Sequence, residues 1–151
     1  MPQSLACVWL HVVFSTKECH AYLQHAGFRD EMFRMIGHHV EQIGCVPIRV
    51  GGCYDHVHTV CGLSRTVTIA SLVEHIKVET SKWAKGATRG VSTFSWQSGY
   101  GAFSVSQSML PNVVDYVNDQ AVHHAKRSFK EEFRELCIKH NLNIDERYVW
   151  D

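Results

Sequence analysis

Apolar residues fill positions 5–15 with few interruptions, rich in Val, Phe and Trp, and a short run of this kind reads as a buried strand. Between 28 and 43 the pattern changes. Phe28, Met32, Met35, Ile36, His39, Val40 and Ile43 recur at spacings of three and four, which predicts an amphipathic helix, with Gly44 placed to close it. Residues 45–50 predict a second strand, Gly51-Gly52 a hairpin-type turn, and residues 54–63 a third strand. Thr68 or Ser71 can cap a second helix, and Ser71-Leu72-Val73-Glu74 fits a capping box. Ile69, Leu72, Val73, Ile76 and Trp83 form the stripe of that helix, and residues 86–90 end it. A Ser- and Gly-rich stretch with aromatics, 94–105, holds one or two strands. Pro111 then stands where a helix can begin, residues 113–127 carry a helical pattern, and a last helix covers about 129–140. This order predicts an α+β fold: a ferredoxin-like (RRM-like) βαββαβ antiparallel sheet with helices on one face, extended by C-terminal helices.

Length sets the scale. A chain of 151 residues makes one domain with a core that needs no staple. Its six cysteines contain no Cys-x-x-Cys pair, and the first strand is too short to span a bilayer. The expectation is a cytoplasmic protein with reduced thiols and no membrane partner. Fifteen Lys+Arg balance fifteen Asp+Glu, which excludes a wholesale basic footprint for duplex DNA and leaves only local patches. Histidine, with eleven copies, is the residue whose placement needs explaining.

The densest polar cluster on an otherwise apolar strand is Asp55-His56-Val57-His58-Thr59. Alternation along a strand puts His56 and His58 on one face, so two imidazoles can reach one cation. The string Cys53-x-x-His56-x-His58-x-x-Cys61 offers four zinc ligands on paper, but the same alternation sends both cysteines to the other face. Farther along, Tyr116 and Gln120 stand four apart on the late helix, one above the other. An amide carbonyl is a hard oxygen donor suited to Mg²⁺ or Mn²⁺, and a tyrosine can serve as a covalent nucleophile. Two imidazoles, an amide oxygen and a phenol together suggest metal-assisted attack on a phosphodiester.

The strand His56-Val57-His58 followed by Tyr116-x-x-x-Gln120 resembles the single-tyrosine HUH transposases of insertion sequences, the IS200-like family. Other segments resemble that family in the same order. They are Trp9 to Lys17, the hairpin Gly51-Gly52-Cys53-Tyr54-Asp55-His56-Val57-His58, Ile76-Lys77 with Ser81-Lys82-Trp83, Trp96 to Ser106, and Gln120-Ala121-Val122-His123-His124. The resemblance covers most of the chain. It implies a transposase domain over 1–151, with a core of about 4–106, a tyrosine helix of about 109–127 and a C-terminal helix of about 129–141. It implies His56, His58 and Gln120 as ligands of Mg²⁺ or Mn²⁺, and Tyr116 as the nucleophile. Such enzymes cut single-stranded DNA at hairpin-forming element ends through a 5′-phosphotyrosine intermediate. They act as homodimers, because one tyrosine makes one cut and excision needs two.

Three further expectations follow. His124 lies one turn past Gln120 on the same face, placed to support a ligand from behind. Lys77, Lys82, Lys85 and Arg89, with Lys126, Arg127 and Lys130, are candidate phosphate contacts. Trp83, Trp96, Tyr100 and Phe103 either pack in the core or stack on unpaired bases. A cyclic-phosphodiesterase-like enzyme is excluded, since no histidine is followed at the second position by Thr or Ser. The remaining alternative is a domesticated transposase, or a non-catalytic ferredoxin-like module that binds nucleic acid on an open sheet face and needs neither metal nor Tyr116.

Overall fold

The computed structural model describes residues 2–86 and 89–151. Four antiparallel strands form one sheet: β1 (Trp9–Ser15), β2 (Val46–Gly52), β3 (His56–Gly62) and β4 (Gly101–Val105), in the spatial order β2-β3-β1-β4. Helices α1 (Ala26–Gln42) and α2 (Ile69–Lys85) link strands, and α3 (Leu110–Asn118), α4 (Gln120–His124) and α5 (Phe129–Lys139) follow the last one. The predicted α+β, ferredoxin-like arrangement is what forms.

Burial explains why β1 and β3 sit in the centre. Every residue of β3 is buried, and all of β1 except Trp9, so both need cover on two faces. Leu10, Val12 and Phe14 of β1 pack with Phe28, Met32 and Ile36 of α1 and with Leu72 and Ile76 of α2. On the opposite face Val13 joins Phe103 of β4 and Phe129, Phe133 and Leu136 of α5. The C-terminal helices thus cover the face that an RRM-like module would leave open. β2 is an edge strand, which is why it tolerates Pro47 and a register shift between Pro47 and Arg49.

Several boundaries depart from the pattern in instructive ways. β1 starts at Trp9 rather than at 5, and Leu5 is largely exposed. Thr68, not Ser71, caps α2: its hydroxyl accepts from the Ser71 amide at 3.0 Å, so the Ser71–Glu74 capping box does not form. Of the 86–90 segment expected to end α2, residues 87 and 88 lie outside the described residues. The 94–105 stretch yields one strand, β4, plus an isolated bridge between Thr16 and Trp96. The helix expected over 109–127 is interrupted: Asp119, at φ −94° and ψ 19°, separates α3 from α4. Asn118 and Asp119 are poor helix formers whose side chains compete for backbone groups, and they fall at that joint.

Gly51 sets how closely α3 can approach. A Cβ there would stand 2.8 Å from both the carbonyl oxygen and the Cγ1 of Val117, so only glycine lets β2 and α3 pack this tightly. Tyr116 precedes that contact by one residue.

Lys77 is a fold anchor. Its ammonium donates to the carbonyl oxygens of Gln97 (2.7 Å), Ser98 (3.2 Å) and Gly99 (2.7 Å), and lies 4.8 Å above the Phe14 ring. Burial pulls its pKa down to about 8. Replacing Lys77 with Ala leaves three carbonyls to find other donors and should lower stability by about 2 kcal/mol. A chemical-denaturation midpoint unchanged from wild type would refute the anchor.

Candidate metal and nucleophile site

The site forms where the second face of the sheet meets the C-terminal helices. Strand pairing puts His58 opposite Val13 and His56 opposite Ser15, and alternation turns both imidazoles toward that face. Both are fully buried. The predicted sharing of one face by His56 and His58 is what occurs, and Gln120, at the start of α4, is buried against them. Although α3 and α4 are separate helices, Tyr116 and Gln120 still converge, since both reach Glu132 of α5.

Glu132 organises the cluster. It is fully buried, and its two oxygens face different partners. Oε1 lies 2.9 Å from His58 Nε2, 3.1 Å from His124 Nε2 and 3.5 Å from His56 Nε2. Oε2 accepts from the Tyr116 hydroxyl and, at 3.2 Å, from the Gln120 side-chain nitrogen. Burial alone would raise the pKa of Glu132. The close imidazoles of His124 and His58, with the hydrogen bond from the phenol, outweigh burial and hold it well below the usual carboxylate range.

The remaining hydrogen bonds fix which atoms carry protons. His56 Nδ1 lies 2.6 Å from Asp55 Oδ1, and a carboxylate only accepts, so Nδ1–H donates. Its other nitrogen, Nε2, faces Gln120 Oε1 at 3.0 Å and Glu132 Oε1 at 3.5 Å, and is bare whenever the ring carries a single proton. His124 repeats the pattern: Nδ1–H donates to the Arg127 carbonyl at 2.9 Å, and Nε2 faces Glu132 Oε1. Acceptors thus point at acceptors, an arrangement that a proton or a metal cation between them resolves. The coordinating atoms of His56, His58, His124 and Glu132 all lie within 4.8 Å of one another. Imidazole nitrogens with a carboxylate and an amide oxygen form a donor set suited to Mn²⁺ and, with fewer nitrogens engaged, to Mg²⁺.

His11 of β1 supports His58 from behind. Its Nε2 lies 2.7 Å from His58 Nδ1, and the two rings stack with centroids 5.0 Å apart. Burial first, and the neighbouring imidazoles next, depress these residues: His58 to about 4 and His11 to about 3, with Glu132 opposing in both cases. Both rings are therefore neutral near pH 7, the state in which an imidazole ligates a metal. Tyr116 moves the other way. Burial, its bond to Glu132 and that carboxylate's charge raise its pKa above the ordinary phenol value, and Arg127, whose Nη2 donates to the hydroxyl at 3.2 Å, opposes them.

His124 lies within the cluster itself. Lys77, Lys82, Lys85 and Arg89 belong to α2 or follow it, on the far side of the sheet from the imidazoles. Lys77 is held by carbonyls and Arg89 pairs with Glu31, while Lys82, 3.5 Å from Glu79 at the surface, and Lys85 are both exposed. Arg127 bonds Tyr116 and Glu135, while Lys130 lies 5.1 Å above the Trp150 ring. Trp96 and Phe103 are core residues, Trp83 stacks on Phe28 at 5.4 Å, and only Tyr100 among the four aromatics is exposed. Cys53 and Cys61 take no part in the cluster, and all six cysteines are free thiols. Among the described residues no helix is long and apolar enough to cross a membrane.

Two participants, Glu132 and His11, lie outside the motif reading. Glu132 had a signal: it occupies a core position in the stripe Phe129, Phe133, Leu136, Cys137, where a carboxylate needs partners. His11 had none, because its contact with His58 depends on strand register.

Comparison with known proteins agrees with this architecture. No curated protein matches the chain. Among solved structures, a candidate transposase from Deinococcus radiodurans R1 superposes with a TM-score of 0.60 at 18% identity, covering 80% of this chain and 95% of that one. A REP-associated tyrosine transposase bound to a REP hairpin superposes with a TM-score of 0.58 at 16% identity, covering 82% of this chain and 74% of that one. At these identities the likeness establishes the fold. The model of the family described as IS200-like transposases matches residues 4–120, from before β1 through Gln120, and by that match the chain belongs to the IS200-like transposase family.

Proposed function

We propose that this transposase cleaves and rejoins single-stranded DNA at hairpin-forming element ends, with Tyr116 as nucleophile and a divalent ion held by His56, His58 and Gln120 together with Glu132 and His124. The observation that carries the reading is the convergence of bare imidazole nitrogens and oxygens beside a buried phenol. A divalent ion there supplies Lewis-acid polarisation of a phosphodiester oxygen.

The chain's own groups account for the rest. Glu132 Oε2 takes the Tyr116 proton as the phenol oxygen bonds to phosphorus, and Arg127 Nη2 stabilises the charge that develops on that oxygen. The bond from phosphorus to the 3′-oxygen breaks in the same displacement. That oxygen takes a proton from solvent water and leaves as a 3′-hydroxyl, the proton on Glu132 returns to solvent, and the 5′-phosphate stays on Tyr116. The phosphotyrosine linkage retains the bond, so a different 3′-hydroxyl can reseal the strand by the reverse reaction. Asp55 and His11 hold His56 and His58 in orientation through their second nitrogens. Each chain carries one such tyrosine, so excision by two cuts calls for a homodimer. The Tyr116 ring lies 5.8 Å from that of His58 in the same chain.

The test uses labelled single-stranded hairpins from the DNA flanking the coding region, with Mg²⁺ or Mn²⁺. A denaturation-resistant adduct should form, disappear with chelator, and map by mass spectrometry to the peptide containing Tyr116. An adduct mapped to another tyrosine, or none on any flanking hairpin, overturns the proposal. Replacing His11 with Phe keeps the volume but removes the partner of His58. Mn²⁺ affinity measured by calorimetry should then fall about 10-fold or more; an unchanged affinity would leave His11 a packing residue.

A further inference from the structure

A cavity opens beside the nucleophile and has no role in the mechanism above. It holds about 420 Å³ between β4, α3 and the end of α5. That is within the roughly 300–1,000 Å³ of small-ligand sites. The rings of Tyr116 and His11, whose centroids lie 6.2 Å apart, line it. The rest of the lining is largely flat or apolar: Phe103 and His140, with rings 4.6 Å apart, and Val113 and Met109.

The polar groups that line it are few. The Asn112 amide nitrogen meets only a weak acceptor, Met109 Sδ at 3.7 Å, a contact easily exchanged for a better one. Ser106 brings a hydroxyl, and the exposed Lys139 adds a cation. Aromatic faces for stacking, an amide and a hydroxyl for an edge, and a cation for a phosphate are the recognition chemistry of a nucleobase on its backbone.

We propose that this cavity binds one unstacked nucleobase of the single strand, from a nucleotide adjoining the phosphate presented to Tyr116. The inference rests on the strand-cutting reading for its register, since the ring that bears the attacking oxygen lines the cavity. Holding that base fixes the neighbouring phosphodiester against the phenol, so the cavity positions the reacting phosphate and favours bases that fill it.

The experiment reads binding without requiring cleavage. The full chain with Mn²⁺ is irradiated with octathymidylate carrying a single 5-iodouracil, moved along the oligomer, and crosslinks are mapped by mass spectrometry. They should fall on Met109, Phe103 or His140. Replacing Val113 with Trp, which fills the cavity, should cut their yield at least 10-fold with an unaltered melting temperature. His140→Ala, on an exposed residue, should weaken them too. Crosslinks confined to other residues, or an undiminished yield in both variants, overturn the proposal. Covalent adducts with flanking hairpins are scored in parallel. Cavity crosslinks without any adduct leave the base site standing and remove the Tyr116 chemistry, whereas adducts with crosslinks confined elsewhere do the reverse.

Discussion

Replacing Tyr116 with Phe should abolish covalent capture of DNA, a loss of at least about 10⁴-fold of the kind seen when an enzyme's nucleophile is deleted. One oxygen is removed and almost nothing else changes. The ring keeps its place, stacked on His123 at 4.7 Å and edge-on to His58 at 5.8 Å. Glu132 Oε2 loses the phenol but retains the Gln120 side-chain nitrogen at 3.2 Å, with Arg127 at 3.9 Å. The cost in stability should therefore stay within about 1 kcal/mol. Metal affinity and binding of an uncleaved hairpin should match wild type. This combination separates a chemical role from a structural one: a variant that still forms adduct would show that another group attacks, and one that loses DNA binding as well would make Tyr116 part of the binding surface.

The parts of this site that were legible in the sequence are those fixed by local periodicity. His56 and His58 share a face because strand side chains alternate, whatever the sheet does around them. Tyr116 and Gln120 are close because one turn of chain separates them, and they stay close even across the break at Asp119. The order of strands and helices likewise sufficed to predict the fold class. What could not be read depends on distance in space. The contact of His11 with His58 follows from the register of β1 on β3, and a shift of one residue would turn His11 to the other face. Glu132 comes from a helix beyond the end of the family match, and its two-sided role exists only once α5 docks on the sheet.

The cationic residues on α2 illustrate the same division. A lysine at 77 is visible in the sequence, but its three carbonyl acceptors belong to a loop about twenty residues later. Nothing in the local pattern distinguishes an ammonium aimed at phosphate from one that ties down a turn. Charge count is a property of composition, whereas charge placement is a property of packing.

The second large effect is expected at Glu132. In the proposed reaction its two oxygens serve different halves, Oε1 facing the imidazoles and Oε2 the phenol, so one isosteric change should impair both. In Glu132→Gln the shape is kept but the charge is gone, and the amide can present an oxygen to only one side. With its oxygen toward the imidazoles, it offers an NH₂ to Tyr116 and no longer accepts the phenol's proton. With its nitrogen there, it places a donor where a cation belongs. Mn²⁺ affinity, followed by electron paramagnetic resonance of the free ion, should fall at least 10-fold, and adduct formation at saturating Mn²⁺ should slow by about 10²–10⁴-fold. A purely structural role predicts otherwise. A buried acid that merely satisfies its neighbours would lose stability on neutralisation, with metal affinity untouched. Glu132→Asp keeps the charge but shortens the reach of α5 toward Tyr116, and should recover more of the metal affinity than of the rate. Equal recovery of both would mean that Glu132 serves the ion alone, and that a different group takes the proton from the phenol.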